Sequence, residues 1–393
     1  MYRKTYAEIN HQNLTHNIKE IKQHYPDYKY YIGVVKNNAY HHGIKCVNAL
    51  KKGGINYFAV SSLEEALDLR KYNLDTPVLI LEPIDLESIY DCINNNITIT
   101  VESLDYMKSL NEMKLPYETK IHLKLDTGMN RLGFKNREEL EKAYEMIKEN
   151  NKIFLEGIYS HFATSGVNDT FWDSQLKTFQ DLTKNIDLKS IPIVHLGRSL
   201  TLVNHDRIPF CNGIRLGIIM YGFAQSRKPD ISLKGKLRTL KLNHFKKKNN
   251  ISKTNLENQL NLKTAFTLYS EVVSIRQVTK DEIVGYNALY KVKNDAFIAT
   301  VPIGYADGIE KNFLHVVINQ QKYPIIADSM DMIMVLVDNK IQKGMLVEIF
   351  GKDIAISEVT RKIGKNAYHL FNQIQNRVPR IHMTEDEKEE TYY

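Results

Sequence analysis

Short apolar runs alternate with amphipathic stretches along the first 222 residues of the chain. This alternation is typical of parallel β-strands connected by α-helices. The strand candidates are eight apolar runs: Tyr31–Val35, Tyr57–Val60, Val78–Leu81, Ile97–Val101, Ile121–Leu125, Phe154–Tyr159, Ile191–Leu196 and Gly213–Leu216. The helical candidates between them include Glu64–Lys71, Glu138–Glu149 and Phe171–Asn185. Eight βα units in about this length predict an α/β fold with an N-terminal (β/α)8 TIM-type barrel.

The pattern changes after Phe223. Residues 226–262 are rich in Lys, Asn and Ser without clear periodicity, which indicates a basic inserted loop or linker. In residues 263–380, short β-rich runs are separated by turn residues, which predicts a C-terminal, mostly β domain. Residues 381–393 are acidic and are predicted to be a frayed tail. We therefore expect residues 1–225 to form the barrel, with the insertion, the β domain and the tail after it.

The composition limits the class of protein. Of the 393 residues, 43% are hydrophobic and 25% are charged, which is usual for a globular protein. The three cysteines, Cys46, Cys92 and Cys211, share no CxxC spacing, so neither a disulfide framework nor a metal site is expected. No signal peptide or membrane span is recognisable, and we expect a soluble cytoplasmic protein. Much of the basic excess lies in residues 234–253, which we interpret as a solvated loop and not as a nucleic-acid-binding surface.

A lysine, Lys36, stands at the end of the first predicted strand, in the sequence VVKNNAYHHG. A strand-end lysine that burial keeps neutral can form a Schiff base with an aldehyde cofactor. Taken alone, such a lysine more often extends into water. The ten-residue sequence, however, resembles the cofactor-lysine motif of the alanine racemase family. The resemblance implies that Lys36 carries pyridoxal 5'-phosphate and that Tyr40 holds the phosphate of this cofactor.

A second match to the same family is the sequence HLKLDTGMNRLG, which resembles the fifth barrel strand. In the family this strand carries a carbamylated lysine that orients an arginine seven residues later. By resemblance, Lys124 is the carbamylated lysine, and Arg131 meets the cofactor and the substrate carboxylate. A carbamate converts a buried cation into an anion beside the guanidinium. Without the family, an arginine after a DTG turn is more often part of a surface ion pair.

Matches at strands six to eight complete the implied phosphate end of the site. His161, in the sequence YSHFAT, is similar to the family histidine that supports the catalytic tyrosine. Ser199 and the backbone amides of Gly217 and Ile218 are implied to bind the phosphate, at the place where TIM barrels commonly bind one. A lone histidine is usually structural, so the role of His161 depends on the resemblance.

Arg215, in the sequence GIRLGI, is implied to face the pyridine nitrogen of the cofactor, with His195 hydrogen-bonded to it. A guanidinium stays charged and does not share a proton with the ring, so the ring nitrogen would stay largely unprotonated. The cofactor is then a weaker electron sink, which favours reprotonation at Cα over transamination.

In the second domain, VGYNALY and IGYADG match the family around its two tyrosines. Tyr286 is implied to be a second base, on the cofactor face opposite to Lys36, and Tyr305 its neighbour at the substrate. The backbone of Met330 is implied to meet the substrate carboxylate. Racemisation requires two bases, because one removes the Cα proton and the other delivers a proton to the far side. The family's tyrosine comes from the partner subunit, so the resemblance implies a homodimer with shared active sites.

The resemblance covers nearly the whole chain and implies interconversion of L- and D-alanine, which supplies D-alanine for peptidoglycan. Some positions depart from the family pattern: Arg198 replaces an Asn, Asp328 replaces an Arg, and the insertion has no match. Asn376, in the sequence NRVPR, is implied to border the substrate pocket, where alanine-specific members have Tyr and serine-racemising relatives have Asn. A smaller amide leaves room and a hydrogen-bonding group for a substrate hydroxyl.

Three alternatives remain open. The first is a serine or broad-specificity racemase. The second is a pyridoxal-phosphate-dependent decarboxylase of the same architecture, for which an acidic residue in place of Arg215 and a catalytic cysteine in the second domain would be expected. The third is a degenerate cofactor-binding paralogue, although such carriers are typically a barrel alone.

Overall fold

The computed structural model describes residues 2–72, 75–164, 169–223, 260–288, 290–309, 311–384 and 388–391. The chain begins with strand β1 (Tyr6–Asn10), which pairs with strands of the C-terminal sheet and not with the barrel. Asn10 ends this strand and caps the helix His11–His24, because its side chain accepts a hydrogen bond from the amide of Asn13.

The next eight strands form the barrel. They are β2 (Tyr30–Val34), β3 (Tyr57–Val60), β4 (Val78–Ile80), β5 (Ile97–Val101), β6 (Thr119–Lys124), β7 (Ile153–Tyr159), β8 (Ile193–His195) and β9 (Gly213–Leu216). All neighbours are parallel, in the order β8-β7-β6-β5-β4-β3-β2-β9. The ring closes between β8 and β9 through a backbone bridge between Arg198 and Arg215 and a 3.1 Å hydrogen bond from the Asn212 amide to the Val194 carbonyl. The predicted (β/α)8 barrel is confirmed.

Helices alternate with these strands. In this half of the chain they are His11–His24, Val47–Gly53, Leu63–Tyr72, Ile89–Asn94, Leu104–Asn111, Arg137–Glu149, Asp169–Leu182 and Ser199–Asn204. Arg137–Glu149 shows why they form: Asn136 accepts hydrogen bonds from two amides of the first turn, and Leu140, Ala143 and Ile147 are buried at intervals of three and four residues. No helix in the described part of the chain is long and apolar enough to cross a membrane.

The C-terminal domain is mostly β, as predicted. Its strands are β10 (Phe266–Glu271), β11 (Ser274–Val278), β12 (Ile283–Val284), β13 (Tyr290–Lys291), β14 (Ala296–Val301), β15 (His315–Ile318), β16 (Gln321–Asp328), β17 (Ile333–Val337), β18 (Leu346–Phe350), β19 (Arg380–Met383) and β20 (Lys388–Thr391). Ten strands form one sheet in the order β11-β14-β17-β16-β15-β18-β10-β1-β19-β20, and β12 and β13 form a separate hairpin. Two helices, Ile356–Ile363 and Ala367–Gln373, precede β19.

Two features bear on the predicted domain division. β20 pairs with β19 inside the predicted acidic tail, so this part of the tail is a strand and is not frayed. The predicted insertion lies outside the described residues except for residues 260–262.

Aromatic packing joins the C-terminal domain to the mouth of the barrel. The ring of His42, just after β2, stacks on Tyr221 at 4.1 Å and contacts Phe371 edge-on at 4.7 Å. Tyr40 packs edge-on against Tyr368 at 5.5 Å. The carboxyl end of β2, which carries Lys36, is therefore covered by the helix Ala367–Gln373 of the same chain.

Candidate active site

Lys36 lies half-buried at the carboxyl end of β2, and the chain after it makes a left-handed turn. All five residues from Asn37 to His41 have φ between 51° and 61°. This conformation costs about 1–2 kcal/mol per non-glycine residue, so other parts of the structure must hold it. The Glu65 carboxylate accepts a 2.6 Å hydrogen bond from the Asn37 amide, and Arg380 donates one of 3.0 Å to the His41 carbonyl. The turn carries the Tyr40 side chain back into the barrel mouth.

Three hydroxyl groups meet at Gly217, directly after β9. A Cβ at this position would lie 3.3 Å from the Tyr40 hydroxyl, 3.7 Å from that of Ser199 and 3.8 Å from that of Tyr368. The Ser199 hydroxyl accepts a 2.9 Å hydrogen bond from the Gly217 amide. The structure therefore brings the predicted phosphate-binding residues together around the open side of Gly217, where a side chain would crowd the Tyr40 hydroxyl.

We call the hydroxyls of Tyr40, Ser199 and Tyr368 around Gly217 the phosphate cradle. Two charge effects act on this group. Burial raises the pKa of Tyr40, which keeps its hydroxyl protonated as a donor. Arg198 directly precedes Ser199, and its buried Nε has no hydrogen-bond partner in the part of the chain that the structure describes. A positively charged side chain with an N–H available for hydrogen bonding, beside three hydroxyl groups, is suited to bind an anion.

Arg215 is buried at the carboxyl end of β9 with its guanidinium held on several sides. Nη1 donates to Nδ1 and to the carbonyl oxygen of His195, at 2.6 and 2.7 Å. Nη2 donates to the carbonyl oxygens of Ser160 and Leu196, at 2.7 and 2.8 Å, and lies 3.4 Å from Nδ1 of His161. Burial lowers the pKa of Arg215 to about 10, so the guanidinium remains charged at neutral pH.

The two histidines that contact Arg215 are neutral. Burial, followed by the charge of Arg215, holds the pKa of both His161 and His195 well below its usual range. A neutral imidazole can accept a hydrogen bond from the guanidinium, whereas an imidazolium cannot. The predicted contact between His195 and Arg215 is present in the structure.

Lys124, at the end of β6, is buried and donates a 3.0 Å hydrogen bond to the Leu125 carbonyl. Burial, followed by the charge of Arg215, lowers the pKa of Lys124 to about 7. Arg131 is exposed, and its backbone amide donates to the carboxylate of Asp126 at 3.1 Å. Within the described residues no hydrogen bond joins the side chains of Lys124 and Arg131.

Residues of the C-terminal domain form a second group at the protein surface. The exposed fractions of Tyr286, Tyr305 and Met330 are 72%, 56% and 53%. The amide of Tyr305 donates to the Ser329 carbonyl at 3.2 Å, and the amide of Ala306 donates to the Met330 carbonyl at 2.9 Å, which joins their two loops. No hydrogen bond or ion pair among the described residues connects Tyr286, Tyr305 or Met330 to Lys36.

The loop that contains Asn376 is held on both sides. Arg377 donates to the Asp331 carboxylate at 2.6 Å and pairs with Asp307 at 3.0 Å, which binds the loop to the segments of Met330 and Tyr305. The buried guanidinium of Arg380 donates to the carbonyls of residues 374, 375 and 378 as well as to the turn after Lys36. Asn376 itself is exposed.

Three residues of the site were missed from the sequence. Tyr368 contributes a hydroxyl to the cradle, and His122 and Glu156 extend the contacts of His195 into the barrel. His122 lies inside the matched sequence HLKLDTGMNRLG, and two residues before Lys124, so the alternation of β6 was an available signal that its ring faces inward. For Tyr368 and Glu156 no comparable signal exists.

The chain matches known proteins along almost its whole length. The family description "Alanine racemase, N-terminal domain" matches residues 9–225, and "Alanine racemase, C-terminal domain" matches residues 265–382. Alanine racemase of Streptococcus gordonii is 33% identical over 391 residues, which cover 97% of this chain and 98% of that protein. The crystal structure of alanine racemase from E. faecalis has a TM-score of 0.86 at 28% identity and covers 97% of this chain and 99% of its own. A histidine racemase from Leuconostoc mesenteroides subsp. sake has a TM-score of 0.84 at 25% identity, with 98% and 99% covered. The chain therefore belongs to the alanine racemase family.

Proposed function

We propose that the protein is a pyridoxal-phosphate-dependent racemase that interconverts L- and D-alanine. The observation that carries the proposal is the environment of Arg215. Its hydrogen-bond partners among the described residues are imidazole nitrogens and carbonyl oxygens, and none is a carboxylate. A charged guanidinium at the pyridine nitrogen keeps the cofactor a weak electron sink, which favours prompt return of a proton to Cα. A decarboxylase would have an acidic residue in this place.

The barrel mouth fits pyridoxal 5'-phosphate. Tyr40 and Ser199 would hold the phosphate through their hydroxyls, and Gly217 and Ile218 through their backbone amides. Arg198 would add a positive charge to the same group, since no described residue accepts a hydrogen bond from its buried Nε. The space that glycine leaves open at position 217 supports this assignment. When bound, the cofactor withdraws electrons from the substrate and makes its Cα proton acidic.

Lys36 and Tyr286 are the two bases of the proposed reaction. Lys36 takes a proton from Cα on one face or returns one there, and Tyr286 does the same on the other face, so each enantiomer uses the two in opposite order. His161, which contacts Arg215, would support the tyrosine. Tyr305 would stand beside the substrate, and the Met330 backbone would meet its carboxylate.

The active unit of this proposal is a homodimer. Tyr286, Tyr305 and Met330 are exposed large side chains on one domain, and backbone hydrogen bonds join the loops of Tyr305 and Met330. They would complete the barrel mouth of the partner subunit. Such a racemase would act in the cytoplasm and supply D-alanine for peptidoglycan.

Lys124 is proposed to be carbamylated. With a pKa of about 7, roughly half of the amine is neutral at neutral pH and available to add to carbon dioxide, forming an N–C bond and releasing a proton. The guanidinium of Arg131 is exposed when Lys124 is unmodified. The carbamate anion would attract this guanidinium and hold it in position for the substrate carboxylate.

An exchange experiment in deuterated water tests the proposed reaction. Purified protein with added pyridoxal 5'-phosphate should convert either L- or D-alanine into the racemate and place deuterium at Cα, because the delivered proton comes from solvent. A decarboxylase would release carbon dioxide instead, and a degenerate paralogue would do neither. Either of these two results would contradict the proposal.

Substrate preference is proposed to depend on Asn376. The hydrogen bonds of Arg380 connect the loop that contains Asn376 to the turn after Lys36 in the same chain. This connection supports a position of Asn376 at the barrel mouth. The histidine racemase among the structural neighbours has the same fold, so the fold alone does not fix the amino acid. An amide at this position has the donor and acceptor for a hydroxyl, which favours some use of serine beside alanine.

Replacing Asn376 with Tyr should lower kcat/KM for serine more than for alanine. A pocket that merely accommodates a group discriminates by roughly 10–200-fold. The serine-to-alanine ratio of kcat/KM should therefore decrease by a factor in that range. Asn372→Tyr, at an exposed position on the preceding helix, is the matched control and should leave the ratio unchanged. An unchanged ratio in the Asn376 variant would place this residue outside the pocket.

A further inference from the structure

A line of polar side chains crosses the interior of the barrel beneath Arg215. His195 Nε2 lies 3.0 Å from His122 Nδ1, and His122 Nε2 lies 3.3 Å from Oε2 of Glu156. The same carboxylate oxygen accepts hydrogen bonds from the hydroxyls of Tyr57 at 2.6 Å and Thr98 at 2.8 Å. Barrel interiors are usually filled with branched apolar side chains, and buried polar groups are costly unless each is hydrogen-bonded.

The backbone makes room for this line. Gly157 is paired with His122 in the register of β6 and β7, and a Cβ on Gly157 would lie only 2.5 to 2.7 Å from the His122 ring. The register between the two strands shifts at the same place, between Ile121 and His122. Bulges of this kind commonly re-aim a side chain. The His122 ring therefore occupies a space that two local features of the chain provide.

The hydrogen bonds of the line have one possible direction. The guanidinium of Arg215 only donates, so Nδ1 of His195 must accept and the single proton of neutral His195 is on Nε2. That proton is donated to Nδ1 of His122, which must therefore be unprotonated. His122 then has its proton on Nε2 and donates it to the Glu156 carboxylate. A proton on Nδ1 of His122 would leave His195 without a proton on either nitrogen.

The electrostatics agree with this direction. Oε2 of Glu156 accepts hydrogen bonds from His122, Tyr57 and Thr98, and hydrogen bonds to a carboxylate oxygen favour its ionised form. A fixed carboxylate thus stands at one end of the line and a fixed guanidinium at the other. Two neutral imidazoles, each polarised in the same sense, connect the opposite charges.

We propose that His122 and Glu156 are positioning residues that hold Arg215 in place by fixing the tautomer of His195. With the other tautomer, an N–H of His195 would face an N–H of Arg215, and the guanidinium would lose its contact. Four of the five donors of Arg215 are taken by His195, Ser160 and Leu196, which leaves Nε–H for a further acceptor. The role at the cofactor rests on the proposed function of Arg215; the tautomers do not.

Nitrogen-15 NMR of the imidazole groups tests the line on the full-length protein without cofactor. The expected result is that both His122 and His195 are neutral and protonated at Nε2, with assignments made from single His variants. Detection of His195 protonated at Nδ1, or of either ring as an imidazolium, would overturn the proposal. Because the measurement needs neither cofactor nor turnover, it stands whether or not the protein racemises alanine.

Glu156→Gln tests the effect on Arg215 with little change in shape. The variant should fold, should alter the His122 and His195 nitrogen signals, and should lower kcat by roughly 10–100-fold, as removal of partners that orient a ligand through a histidine does. Thr119→Val is the control, because Thr119 is buried in β6 and its hydroxyl has no hydrogen-bond partner among the residues that the structure describes. Unchanged nitrogen signals together with unchanged kcat in Glu156→Gln would refute the positioning role. Altered signals with unchanged kcat would refute it as well, since Arg215 would then not depend on the line.

Discussion

Replacing Lys36 with Ala should abolish racemisation of alanine. In the proposed mechanism the variant loses both the amine that attaches the cofactor and one of the two bases, and a positioned acid or base alone contributes roughly 10²–10⁴-fold to a rate. We therefore expect a loss of at least this size, measured as D-alanine formed from L-alanine. The C-terminal domain and the phosphate cradle do not involve this side chain, so the variant should remain folded.

Chemical trapping tests the attachment of the cofactor to Lys36 separately from the rate of racemisation. Borohydride reduction of the native protein loaded with pyridoxal 5'-phosphate should fix the cofactor covalently, and peptide mapping should find it on Lys36. Lys71→Ala is the matched control, since Lys71 is an exposed lysine paired with Asp68 at a helix end. That variant should keep its activity and its label. A label on any lysine other than Lys36 would show that the assignment is wrong.

The barrel was predictable because its strands are buried on both faces. Such strands read as uninterrupted apolar runs, and each of the eight predicted runs corresponds to one observed strand. The predicted and observed ends of a strand differ where a backbone amide is missing or where the strand bends away from its neighbour. The run Ile191–Leu196 becomes the strand Ile193–His195, because Pro192 has no N–H for the ladder.

The turn after Lys36 was not predictable from residue types. Glycine is the usual sign of a positive φ, yet Ala39 and Tyr40 adopt it here with φ of 53° and 52°. The contacts that hold the turn come from Glu65 and Arg380, which are distant in the sequence. A local pattern does not contain such contacts, and tertiary structure decides the conformation.

The residues of the candidate site likewise divide into those that the sequence predicted and those that only the tertiary structure shows. Lys36, Tyr40 and Arg215 belong to short sequences whose resemblance to the alanine racemase family implied their roles. The contact between His122 and His195 spans 73 residues and depends on the register of neighbouring barrel strands, which the sequence does not state. The pairing of β1 with β10 and β19 is of the same kind, because an N-terminal strand gives no sign of a partner more than 250 residues away.

Mixing two inactive variants should restore activity if the active site is shared between subunits. In a dimer of Lys36→Ala and Tyr286→Phe chains, one site combines an intact Lys36 with an intact Tyr286, and the other has both defects. Random exchange makes half of the dimers hybrid, so roughly a quarter of the wild-type activity should return in a two-fold symmetric dimer. Each variant alone should lose roughly 10²–10⁴-fold in activity, since each lacks one of the two proposed bases.

The exposure of Tyr286 and its lack of a hydrogen bond to Lys36 of the same chain are the reasons to expect this recovery. Exchange should be verified by tagging one chain and isolating the hybrid. The control mixes Lys36→Ala with the double variant Lys36→Ala and Tyr286→Phe, which contains no intact Lys36 and should stay inactive. If verified hybrids of the two single variants also stay inactive, each site is built within one chain, and Tyr286 must then reach Lys36 by a movement of its own domain.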